Sequence, residues 1–115
     1  MKKNFVGLRI TAVLAVATLA IGTRSHAEQA TAIAITVKGH QFQPAEIHAS
    51  ANHPLALTVK NHDATAMEFE SVSLRVEKVI APGSEGVVNV RALAPGKYEF
   101  FDDFHQETRG TLVVQ

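Results

Sequence analysis

The sequence predicts an all-β sandwich of about eight strands, preceded by a cleaved export signal. Three observations carry that expectation. The first 27 residues have the layout of a targeting segment. The remainder falls into runs of about five to eight β-favouring residues separated by Gly, Pro, Asn and Asp. No segment holds a helical period for longer than about one turn.

At the N-terminus, Lys2, Lys3 and Arg9 flank an apolar run from Ile10 to Gly22. That run has 13 residues, whereas a helix crossing a hydrocarbon core of roughly 30 Å takes about 20. Secretion with cleavage is therefore favoured over a retained anchor. Ser25-His26-Ala27 offers small residues at the positions a signal peptidase reads, which puts the cut after Ala27. The expected organisation is a signal peptide over 1–27 and one domain over 28–115, released to the periplasm without direct membrane insertion after cleavage.

The charge balance changes with the cut. Residues 1–27 contain Lys2, Lys3, Arg9 and Arg24, so the remaining 88 residues hold 7 basic against 11 acidic side chains, a net charge of −4. A mildly acidic domain with scattered basic residues does not suit nucleic acid or anionic lipid. A metal cation fits better. With no cysteine in the chain, lipidation, disulfides and thiolate metal centres are excluded.

Along the domain, Thr31 to Lys38 reads as the first strand and Gly39-His40-Gln41-Phe42-Gln43-Pro44 as a loop. Ala45 to Ala49 is extended again. Asn52-His53-Pro54 turns the chain into Leu55-Ala56-Leu57-Thr58-Val59, with apolar residues at every second position. Asn61 to Thr65 breaks that strand. Met67 to Ser71 and Val72 to Val79 read as extended, and Ala81-Pro82-Gly83-Ser84 as a turn with Pro fixing φ and Gly accepting a positive one. Val87 to Arg91, Lys97 to Phe101 and Thr111 to Val114 complete the set, with a second Ala94-Pro95-Gly96 turn between.

These landmarks, in this order, resemble the cupredoxin superfamily. The carriers are Phe42-Gln43-Pro44-Ala45-Glu46-Ile47, Leu57-Thr58-Val59-Lys60-Asn61, Met67-Glu68-Phe69-Glu70-Ser71, Ile80-Ala81-Pro82-Gly83, Leu93-Ala94-Pro95-Gly96-Lys97-Tyr98-Glu99-Phe100 and Gly110-Thr111-Leu112-Val113-Val114. The Glu-Phe-Glu-Ser segment and an acidic-x-His loop are most similar to the EfeO-type cupredoxin-like domain of periplasmic proteins that accompany an iron permease. The resemblance implies a Greek-key β-sandwich of cupredoxin type with metal held at one end. It departs from the blue-copper members, whose first His would fall on Met67 and whose Cys would fall among Asp102 and Asp103.

The candidate metal ligands are Met67, Glu68, Asp102, Asp103, His105 and His40. Asp102, Asp103 and His105 place carboxylates within three residues of an imidazole just after a strand. Hard oxygen with borderline nitrogen suits Fe²⁺, Fe³⁺, Cu²⁺ or Mn²⁺. The alternative is a solvated loop. Met67 lies at the first-ligand position implied by the resemblance and offers a thioether for copper, against the ordinary alternative of core packing. Glu68 is its oxygen-donor neighbour, whereas Glu70 is expected to be solvated and paired with a cross-strand Lys or Arg. Among the other imidazoles, His62 is a weaker candidate, and His48 and His53 are expected on the surface.

Copper, iron or both are thus the expected cofactors, and iron or copper ions the small partners. The resemblance adds a membrane iron permease and other periplasmic iron-uptake components, with ferroxidase-type oxidation of ferrous iron as the activity. The alternatives are a non-enzymatic copper or iron carrier and a metal-free cupredoxin-fold adaptor. No phosphate loop, Gly-x-Ser-x-Gly elbow or His-Glu-x-x-His motif is present to support another chemistry.

Overall fold

Alternation of apolar and polar side chains along the strands decides which faces meet. β4 (Leu55–Asn61) buries Leu55, Leu57, Val59 and Asn61, and every intervening side chain is less buried. The computed structural model describes Lys3, Gly7, residues 12–22 and residues 29–115. Ala27 and Glu28, which flank the expected cleavage point, lie outside the described residues. Val13, Leu14, Val16, Leu19 and Ile21 stand exposed, away from the core. No helix among the described residues is long and apolar enough to cross a membrane.

Among the described residues, nine strands form two sheets. Besides β4 they are β1 (Thr31–Lys38), β2 (Gln41–Gln43), β3 (Glu46–Ala49), β5 (Met67–Ser71), β6 (Val76–Ile80), β7 (Glu85–Val90), β8 (Gly96–Asp102) and β9 (His105–Val114). One sheet has the order β2-β1-β4-β7 and the other β3-β9-β8-β5-β6. β1 runs parallel to β4 and β3 parallel to β9, while the remaining pairs are antiparallel. The ninth strand is β2, a short hairpin partner of β1 inside the segment expected to be a loop. Gly39 and His40 both have positive φ at its turn, 60° and 54°, the two-residue geometry that matches the twist of a hairpin.

Between the sheets, Phe42, Phe69 and Phe100 form an aromatic centre. Phe69 stacks on Phe100 at 5.1 Å between ring centroids, and Phe42 meets Phe100 edge-on at 4.9 Å. Gly110 on β9 is required by this packing, since a Cβ there would overlap the Phe100 ring and approach the Ala45 carbonyl. The extended run expected over Val72 to Val79 is instead a turn followed by β6. Ser71 explains the break: its Oγ accepts from Leu74 N and donates to Glu99 O, pinning the chain as it reverses. Arg91 donates to the Ser73 and Leu74 carbonyls of the same turn.

Candidate metal centre

The expected ligands gather where β5 begins and the β8–β9 hairpin turns. Asp102 ends β8 with its side chain almost wholly buried. Its Oδ1 accepts from Glu68 N and Phe104 N, 3.0 Å each, and its Oδ2 accepts from His105 Nδ1 at 2.9 Å. Both carboxylate oxygens are thereby committed to holding the hairpin tip, the start of β5 and the His105 ring. Asp103 follows, and its N donates to Glu68 O at 2.9 Å. The two acidic side chains part here, Asp102 toward the imidazole and Asp103 toward the outer face of the five-stranded sheet.

His40 reaches the same end from the β1–β2 turn. Its ring lies 4.1 Å from that of His105 between centroids. Three residues hold it there. Asp63 accepts from Gly39 N at 2.7 Å and from His40 N at 2.9 Å, and its Oδ2 lies 3.7 Å from His40 Nδ1. Thr108 Oγ1 donates to His40 O at 2.6 Å. Asn61, fully buried, fixes Asp63 by accepting from its N–H while donating to the Thr65, Ile80 and Ala81 carbonyls. The backbone bond from His40 leads the causes that hold the Asp63 carboxyl below the usual aspartate range. His105 thus has a carboxylate hydrogen-bonded at Nδ1, the arrangement by which outer carboxylates orient histidines that bind metal through the other nitrogen. The Asp63 carboxylate near His40 Nδ1 stands beyond hydrogen-bond range and holds His40 through its backbone instead.

On the outer face stands a second group. One ligand oxygen each from Glu68, Glu70 and Asp103 lie within 4.8 Å of one another, and among the described residues no other set of three His, Asp or Glu side chains converges so closely. Glu68 is only 8% exposed, and no cationic side chain of the described residues lies in ion-pair range of it. Burial is the largest cause that raises the Glu68 carboxyl above its ordinary value, with Glu77, Asp103 and Glu70 adding to it. Glu70 is raised too, first by burial and then by Asp103 and Glu77.

The expected set divides accordingly. Glu68 and Asp103 come together, His40 and His105 come together, and Asp102 supports both groups by its hydrogen bonds. Met67 is 1% exposed and packs in the core, on the opposite face of β5 from Glu68. Glu70 departs from expectation: its cross-strand neighbours are Glu77 and Phe101 rather than Lys or Arg, so it joins the acidic group. His48 is a surface residue bonded to Glu46 at 2.9 Å. His53 is exposed, and exposed His62 lines a shallow groove with Lys60, Gly83, Ser84 and Glu85. Asp63 and Thr108 carried no local signal beyond the Asn61-x-Asp63 spacing, because their partner is 23 or more residues away.

A thiolate copper centre does not fit these residues, since the chain contains no cysteine and Met67 faces the core. Oxygen donors with neighbouring imidazoles fit a harder or borderline ion.

Comparison with known proteins agrees with the architecture. An uncharacterized protein of Rickettsia prowazekii (strain Madrid E) is 39% identical over 83 residues, spanning 71% of this chain and 66% of that protein. Among solved structures, auracyanin A, a blue copper protein of Chloroflexus aurantiacus, is similar with a TM-score of 0.64 at 17% identity, over 76% of this chain and 100% of the other. The metal-binding domain of the Cu(I)-exporting P-type ATPase CopA of Streptococcus pneumoniae D39 gives a TM-score of 0.66 at 18% identity, over 78% and 91%. These two likenesses concern the fold. The family model for the cupredoxin-like domain matches residues 11–114, and with two sheets packed around the Phe42, Phe69 and Phe100 centre the chain belongs to the cupredoxin-like domain family.

Proposed function

We propose that this chain is an exported metal-binding protein of the EfeO-type branch, which holds iron at Glu68, Glu70 and Asp103 and oxidises Fe²⁺ to Fe³⁺ for a membrane iron permease. The observation that carries the reading is Glu68: a carboxylate buried among other carboxylates without a cation is costly, and a bound cation removes that cost. Clustered carboxylate oxygens are hard donors. They stabilise Fe³⁺ more than Fe²⁺ because the Coulomb attraction grows with ion charge, so the site assists loss of the electron. With dioxygen as the acceptor, four Fe²⁺ and four protons reduce one O₂ to two waters.

His40 and His105 support a second reading, in which the imidazole pair takes Cu²⁺ beside the acidic group. The Nδ1 bond to Asp102 would orient the His105 ring and leave its Nε2 for the ion, with His40 brought alongside by the backbone bonds of its turn to Asp63. In that case copper is the first acceptor of the iron's electron. A non-enzymatic carrier shares the ligands but not the turnover, and an adaptor needs neither.

Aerobic oxidation of Fe²⁺ by the purified protein, with and without added Cu²⁺, tests the proposal. The expected result is a rate above buffer that falls in Glu68→Gln/Glu70→Gln. If His40→Ala/His105→Ala also removes a copper-dependent part of the rate, the second reading holds. A wild-type rate equal to buffer overturns ferroxidase activity and leaves the carrier or the adaptor.

A further inference from the structure

Next to the acidic group, the outer face of the five-stranded sheet carries a groove of about 610 Å³ lined by Val72, Ser73, Lys97, Glu99, Phe101 and Arg109. Its chemistry is opposite to that of its neighbour. The Arg109 guanidinium lies over the Phe101 ring, 5.2 Å from the centroid, so its planar fork is held in place. Among the described residues neither Lys97 nor Arg109 has a carboxylate in ion-pair range. Glu99 and Ser73 add an acceptor and a hydroxyl.

The sheet register joins the two features. Glu70 on β5 is the cross-strand partner of Phe101 on β8, which in turn pairs with Arg109 on β9. Directly paired residues share a face of the sheet, so Glu70, Phe101 and Arg109 stand in one row. Two strand spacings, about 10 Å, separate the Glu70 and Arg109 backbones, and the guanidinium leans back over Phe101 between them. A negative wall that attracts a cation and a positive wall that attracts an anion therefore border one open surface.

We propose that the site holds its metal as a chelate of a small hydroxycarboxylate. The ion meets Glu68, Glu70 and Asp103, free carboxylates of the chelator meet Arg109 and Lys97, and its hydroxyl meets Glu99 or Ser73. This rests on the cation reading of the acidic group and adds the small ligand that shares the ion there, including the Fe³⁺ left after oxidation. No bond is oxidised or reduced in this step.

Equilibrium dialysis of radiolabelled citrate against the full chain, with and without Fe³⁺, together with anaerobic Fe²⁺ binding, tests it. Wild type is expected to retain citrate about tenfold more tightly when Fe³⁺ is present. Lys97→Gln/Arg109→Gln should lose about tenfold of that retention and keep wild-type Fe²⁺ affinity, with a melting temperature close to that of wild type. Glu68→Gln/Glu70→Gln should lose Fe²⁺ binding and the iron-dependent part of citrate retention. Unchanged ferric citrate retention in Lys97→Gln/Arg109→Gln, or equal retention with and without iron, would overturn the proposal. A wild-type protein that binds no Fe²⁺ overturns the underlying cation reading instead, so the two failures are told apart.

Discussion

Substitutions at the adjacent acids Asp102 and Asp103 should move stability in opposite directions. Asp102 accepts hydrogen bonds from Glu68 N, Phe104 N and His105 Nδ1 and is 1% exposed. Asp102→Ala strands the buried Glu68 N–H, the half-buried Phe104 N–H and the His105 ring. An unsatisfied buried donor costs about 1–3 kcal/mol, and a hydrogen bond to a charged group contributes about 1.5–3. The loss for the three together is about 3–5 kcal/mol, because only one of the donors is fully buried. At about 4–8 °C per kcal/mol for a domain of this size, the melting temperature of the apo protein should fall by at least about 12 °C. Asp102→Asn keeps an acceptor for the two amides and loses the charge, so it should cost about 1–2 kcal/mol. Asp103→Asn removes a negative charge from beside Glu68 and Glu70 and should raise the melting temperature of the apo form. Far-ultraviolet circular dichroism melts of the four proteins in chelator decide the matter. An Asp102→Ala protein melting within about 3 °C of wild type would refute the support assigned to that carboxylate, given the scale above.

Apo stability should also depend on pH in a direction that the acidic group sets. The Glu68 and Glu70 carboxyls are raised above the ordinary glutamate value of 4.5, so the folded state binds protons more readily than the unfolded state. Their contribution is present below pH 4.5 and is lost as pH rises through the higher folded values; melts across that window should show a decline that Glu68→Gln/Glu70→Gln abolishes. Asp63 works the other way: its carboxyl is lowered from 3.8, so its contribution is present above that value and disappears as pH falls, a loss that Asp63→Asn should flatten. Gly110→Ala should destabilise by about 1–3 kcal/mol through overpacking against Phe100, with a lower denaturation midpoint in urea and an unchanged slope. A wild-type midpoint would show that the ring can move aside.

Much of the fold was legible because β4 alternates in polarity and stops at Asn61 and because Pro95-Gly96 opens β8, whereas the last strand, expected from Thr111, begins at His105 and runs through Arg109-Gly110. The misread segment, Val72 to Val79, shows where this fails. A β-favouring composition continues through it, but the Ser71 hydroxyl binds the chain back on itself and Arg91, far along the sequence, caps the turn. Within the site, the short spacing from Asp102 to His105 made that pair readable. The parting of Asp102 from Asp103 and the recruitment of Glu70 were not, since both depend on which strand lies beside β5. Likewise His40 meets His105 only through Asp63 and Thr108, contacts set by the sandwich rather than by neighbours in sequence.

The central claim is that Glu68, Glu70 and Asp103 form a cation site. Anaerobic calorimetric titration of Fe²⁺ into the wild-type protein and into Glu68→Gln/Glu70→Gln, in buffer free of chelator, tests it most directly. The account predicts saturable binding by wild type that disappears in the double variant while the variant stays folded. Equal binding by both proteins, or none by wild type, would contradict it.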